Sequence, residues 1–237
     1  MAYAYVNAAQ FSSNNSPVAT SGVITLAVTA GNALIVTVVC DVGAGVPVST
    51  ITDQGGGALS FVQAGTTVTG TVFSMAMFYL VNVPSSPTGI IVNLSVSTQR
   101  LSVQISQFSG ISGSLDGVAG GTATATLASN NVIFPSITNA NQPALFYAVG
   151  FDDTTYTAGP TAGTGFTFHG ALANRVPQPT DSGNNPGLTE DKRLTATGSQ
   201  TATLTNNAVS GDLYLMISLA LDEISTTPNT ATIAWVS

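Results

Sequence analysis

Charge is what this sequence has least of. Of 237 residues only four are Lys or Arg and eleven are Asp or Glu, 6% charged in all, where a soluble domain carries about 25%. The chain holds one lysine, Lys192, one histidine, His169, one cysteine, Cys40, and one tryptophan, Trp235. Each scarcity excludes something. Affinity for nucleic acid comes from neutralising several phosphates, and four basic residues do not make such a patch. The same argument excludes an anionic membrane surface. One cysteine allows no internal disulfide. Its place at the end of an apolar run marks Cys40 as a small buried hydrophobe. One His and one Cys do not supply the several ligands of a zinc site. No apolar run reaches the roughly 18 residues of a membrane span. The opening MAYAYVNAAQFSSNN has neither a basic n-region nor an apolar h-region, so no secretory signal is expected and folding is expected in the cytoplasm.

What is present is apolar residues at an ordinary 44%, with Ser, Thr, Asn, Gln and Gly standing where charge is missing. The period is two. In GIIVNLSVS, Ile90, Val92, Leu94 and Val96 share a face, and Asn93, Ser95 and Ser97 the other. LSVQISQF repeats this, with Leu101, Val103 and Ile105 expected inward and Ser102, Gln104 and Ser106 outward. Such alternation predicts half-buried antiparallel strands, and the short TQR between these two predicts a hairpin. LYLMISLAL is a further strand, with Leu213, Leu215, Ile217, Leu219 and Leu221 on one face. Others are expected at Ala2–Ala8, Gly22–Thr29, Ala33–Cys40, Val72–Val81, Ala144–Gly150 and Thr195–Thr205. Weaker ones are expected at Ser49–Thr52, Leu59–Val62, Thr122–Leu127 and Phe166–His169. Gly/Pro/Asn clusters punctuate them, and no window has helical periodicity. The fold class is all-β: an antiparallel, jelly-roll-like β-sandwich with extended terminal segments. One sandwich domain is expected over 1–224, with long loops in 152–193, and a C-terminal extension over 225–237.

Two features modulate that reading. GNALIVTVVCD echoes NQPALFYAVGFDD, and GIIVNLSVSTQRLSVQISQFSG echoes QTATLTNNAVSGDLYLMISLALDE. Two such halves would each give strands to both sheets of one sandwich, or the echo is repeated strand patterning alone. VFSMAMFYLV, Val72–Val81, is apolar on both faces, so both faces are covered or it lies in a subunit contact.

Catalytic chemistry finds little footing. Asp152–Asp153 and Glu190–Asp191 read as solvated loop acids, without EF-hand spacing for calcium. A glycosidase needs two carboxylates across a cleft, which sequence does not place. No G-x-S-x-G elbow accompanies His169, read as a loop histidine. DQGGGALS lacks the P-loop lysine. No cofactor, metal or catalytic residue is assigned. The near-absence of lysine leaves edge strands without their usual protection, so bulges, Pro, loops or a neighbouring subunit must blunt them. Low charge also suits dense packing of many copies.

EDKRLTATGSQTATLT followed by DLYLMISLALDE, together with GNALIVTVV and SVQISQFSGIS, resembles a β-sandwich domain of tailed-phage virion proteins and bacterial extracellular proteins. The resemblance spans roughly Ala2 to Glu223. It departs where members often carry Trp before the last strand and this chain has Asp212–Leu213. The resemblance implies a phage capsid cement (decoration) protein: an oligomer, a trimer favoured, seated on the outer head surface of the virion with the major capsid protein as partner. Terminal arms, Ala2–Phe11 and Ser225–Ser237, would grip the shell, with Ala2, Tyr3, Tyr5, Phe11, Ile233, Trp235 and Val236 as contact residues. The alternative is a receptor- or carbohydrate-binding module whose site lies between Asp152 and Arg193, with Tyr156, Phe166, Phe168 and His169 as stacking residues.

Overall fold

Several runs of this sequence have no polar face. ALIVTVVCD and FSMAMFYL are buried at odd and even positions alike, and such strands must be covered on both sides. The computed structural model describes residues 2–13, 16–41, 43, 45–124, 131–152, 162–171, 176–177, 184–185, 187–205 and 213–224. Among them every regular element is a strand. The first half supplies β1 (Ala4–Ser12), β2 (Val18–Thr20), β3 (Ile24–Thr25), β4 (Ala33–Asp41), β5 (Val48–Asp53), β6 (Val62–Thr69), β7 (Phe73–Leu80), β8 (Gly89–Thr98) and β9 (Leu101–Ser109). The second supplies β10 (Ile111–Thr124), β11 (Asn131–Ile133), β12 (Ile137–Asn139), β13 (Ala144–Asp152), β14 (Thr167–Ala171), β15 (Val176–Pro177), β16 (Asn184–Asn185), β17 (Gly187–Leu194), β18 (Gly198–Gln200), β19 (Thr203–Thr205) and β20 (Leu213–Glu223).

The two halves have one topology. Strands β1-β9-β4-β7-β6 form a five-stranded antiparallel sheet, and β8 pairs with β2, β3 and β5 in a smaller one. With β1-β9-β4-β7 opposite β2/β3-β8-β5, the first half has the strand order of a jelly roll. The second half repeats it: β10-β20-β13-β17-β14 form the large sheet, and the ribbons β12-β18 and β11-β19 stand where β3-β8 and β2-β8 stand in the first. The sequence echo is therefore structural. Each half builds its own large sheet, however; the halves do not share strands within one sheet.

The large sheets pack face to face, which makes four layers. Along β4, Leu34, Val36, Val38 and Cys40 meet Ile90, Val92, Leu94, Leu101, Val103 and Ile105 inside the first half. Ala33, Ile35 and Val39 point the other way, into a core with Phe73, Met75, Leu145, Tyr147, Val149, Leu215, Ile217 and Leu219 of both halves. Beyond it Phe146, Tyr214 and Met216 meet Phe134, Ile137 and Ala202 of the outer ribbons. Burying one large apolar side chain contributes roughly 1.5–3 kcal/mol, so the shared core ties the halves strongly. It also corrects an expectation. Gln104 and Ser106 do not face solvent; they are buried at the junction of the halves, where the Ser106 and Tyr147 hydroxyls hydrogen-bond at 3.0 Å.

The expected hairpin between β8 and β9 is not one. The two strands pair in different sheets, and the chain between them crosses the sandwich. Asp41 fixes that corner. Its carboxylate accepts from the Thr98 hydroxyl and the Arg100 amide at 3.0 Å each, and Arg100 Nε lies 3.4 Å away. Thr195–Thr205 is likewise two short strands with different partners. Within 152–193, read as loops apart from a weaker strand at Phe166–His169, Thr167–Ala171 and Gly187–Leu194 are strands of the second large sheet. All four edge strands of the large sheets carry a register shift: β1 at Tyr5/Asn7, β6 at Ala64/Val68, β10 on both sides of Leu115, and β14 at Phe168/Ala171. Bulges thus do the edge protection that lysine does elsewhere.

Candidate functional site

The run Glu190–Asp191–Lys192–Arg193 gathers four charges on one strand, β17. Side chains alternate along a strand, so the run divides in two. Asp191 and Arg193 face the junction between the halves. Glu190 and Lys192 face outward, beneath the ribbon of β19.

At the junction Asp191 is 4% exposed. It accepts hydrogen bonds from the Tyr3 hydroxyl and from His169 Nε2. Tyr5 stacks on His169, with ring centroids 3.9 Å apart and planes 17° apart. Phe108 meets Tyr3, Tyr5 and His169 edge to face. Tyr3 precedes β1 and Tyr5 lies on it, whereas His169 and Asp191 lie on β14 and β17, so the cluster fastens the first strand of one half to an edge of the other. Two positions on, Arg193 donates to Glu223 of β20 at 2.6 and 2.8 Å, a bidentate pair. Burial pushes the Asp191 carboxyl up, and the Tyr3 hydrogen bond and the charge of nearby His169 pull it back. Burial holds His169 below its ordinary value, with Asp191 opposing. The Tyr3 hydroxyl is raised by burial and by its bond to Asp191. No hydroxyl or thiol hydrogen-bonds to His169 among the described residues, and the arrangement works as a latch.

On the outward face Glu190 is fully buried and accepts from the Gly163 amide at 2.9 Å. Burial pushes its carboxyl up to about 7, although the Gly163 and Thr203 backbones favour the ionised form. Above it lies a groove of about 340 Å³ lined by Gly163, Thr164, Phe166, Lys192, Thr201 and Thr203. Lys192 Nζ sits 5.3 Å from the Phe166 ring centroid.

The residues singled out in the sequence are placed as follows. Ala2 is exposed, Tyr3 and Tyr5 belong to the latch, and Phe11 is half-buried against the first-half core. From Ala4 to Ser12 the N-terminal segment is a paired strand, so Ala2–Phe11 is part of the folded body and not a free arm. Ile233, Trp235 and Val236 lie outside the described residues, as do Tyr156 and the acids Asp153 and Asp181; of Phe168 only the backbone is described. Phe166 lines the groove, but His169 is enclosed in the latch. Glu190 and Asp191 are not solvated loop acids. Alternation through EDKR was the available signal, and four adjacent charges concealed it by reading as a loop. Gln107 was missed as well. Fully buried, it accepts from the Thr29 amide at 2.7 Å and donates to Asn7 at 2.6 Å and to the Ala27 carbonyl at 3.0 Å.

Among the described residues no group of three or more His, Cys, Asp or Glu is arranged to hold a metal ion. No protein-family model matches the chain. No curated protein and no solved structure matches it either.

Proposed function

We propose that this chain is a structural virion protein, a capsid cement or decoration protein that oligomerises on the outer head surface of a tailed phage and binds the major capsid protein. One observation carries the reading: among the described residues the few charges are paired or packed within the fold. Asp41 pairs with Arg100, and Arg193 with Glu223. Asp53 caps its own turn through the Gly55 and Gly57 amides. Asp116 and Asp222 bind Asn141. Glu190 and Asp191 are buried, and Lys192 lies over Phe166. Among the described residues the rest of the exterior is mostly hydroxyl, amide and apolar side chains. Such a surface seats many copies close together without like-charge repulsion, and it matches the low charge at the centre of protein interfaces.

The bulged edges argue that copies meet through faces and terminal segments, not by extending sheets. With Ala4–Phe11 in β1 and Tyr3 in the latch, gripping the shell falls to 225–237, where Trp235 is an anchor of the kind that dominates interface energetics. Co-sedimentation of the purified chain with capsid shells tests this. The full chain co-sediments, and a chain lacking 225–237 does not while its melting temperature is unchanged. Unaltered binding of the shortened chain overturns the role of that segment. Failure of the full chain to bind any shell overturns the reading.

A further inference from the structure

The outward face of β17 carries the chain's single lysine, Lys192. Arg100 and Arg193 are ion-paired; Lys192 has no ion-pair partner among the described residues. The nearest acid on its own face, Glu190, is buried and committed beneath the groove to the Gly163 amide. Phe166 is pinned by Phe146, edge to face at 5.3 Å, and so holds the ammonium at the groove's rim. Thr164, Thr201 and Thr203 complete the lining, the Thr201 hydroxyl also hydrogen-bonded to that of Ser136 at 2.5 Å. The groove's volume of about 340 Å³ falls in the roughly 300–1,000 Å³ range of small-ligand sites.

A fixed cation, several hydroxyls and one aromatic ring complement a ligand with a carboxylate, many hydroxyls and an apolar C–H face. We propose that this groove binds an acidic saccharide of the uronic acid class. The carboxylate lies on Lys192 Nζ, a C–H face of the sugar packs against Phe166, and sugar hydroxyls bond to Thr201 and Thr203. This site is independent of attachment to a capsid, and a chain that binds no shell still tests it.

Isothermal titration of the full chain with digalacturonic acid, lactose and inorganic phosphate is the experiment. Digalacturonate binds, and lactose binds about tenfold more weakly, the loss expected for one charge-assisted hydrogen bond. Lys192→Met weakens digalacturonate by a similar factor, and Lys192→Arg retains it. In the unmodified protein the Gly163, Thr164 and Thr203 amide resonances shift on titration, which keeps the test decisive if Lys192→Met fails to fold. The proposal is overturned by no binding, by shifts confined to other residues, by undiminished binding to a folded Lys192→Met variant, or by phosphate displacing digalacturonate with equal affinity, which marks a bare anion contact.

Discussion

Ser106 and Tyr147 come from different halves of the chain and meet where neither touches water. A buried hydroxyl stripped of its partner costs about 1–3 kcal/mol, whereas removing both partners together costs less. Urea unfolding of Tyr147→Phe should therefore show a loss of about 1–2 kcal/mol. Adding Ser106→Ala should cost less than the sum of the single changes. Glu190 sets a pH dependence. Its folded value of about 7 lies above the ordinary 4.5, so the folded state binds the extra proton. Its contribution is fully present below about pH 4.5 and is lost as pH rises through about 7. Glu190→Gln should then stabilise the chain at pH 8 by about 1–3 kcal/mol relative to pH 4, read from paired unfolding curves. An unchanged difference between the two pH values would show that Glu190 ionises freely in the folded protein.

At the scale of elements, β10 shows what the sequence concealed. Its glycines resemble turn residues, yet they lie within a long strand. A Cβ on Gly117 would stand 2.9 Å from the Thr138 carbonyl, and one on Gly120 2.7 Å from Val68. These glycines mark close approach of neighbours, which no local pattern encodes. The strands β4, β7, β13 and β20 were legible because apolar runs of strand length carry their own signal. The β8–β9 crossing was not, since alternation gives a strand's faces but not its partner sheet. The latch was only half legible: EDKR stood out by composition, while Tyr3 reaches Asp191 across 188 residues of chain. Gly110 joins the halves at φ 77°, and a Cβ there would stand 2.8 Å from the Ala2 carbonyl and 3.0 Å from Tyr3 Cα. Gly110→Ala should cost about 1–3 kcal/mol and hasten hydrogen exchange in β1 more than in β4. Equal acceleration in both strands would place the damage elsewhere.

For the whole molecule, the sequence carried the fold class and an echo that left the repeat open, but not that the halves stack through their large sheets. Gln104 and Ser106 look like a solvated face until the second half covers them. That stacking is the central claim, and it makes the two jelly rolls thermodynamically one, since each leaves an apolar face that only the other covers. Native-state hydrogen exchange across low urea concentrations tests it most directly. The slowest amides of β4 and β9 and those of β13 and β20 should converge on one opening free energy and one urea dependence, the signature of a single cooperative unit. Two separated free energies, with one half opening while the other stays closed, would contradict the account.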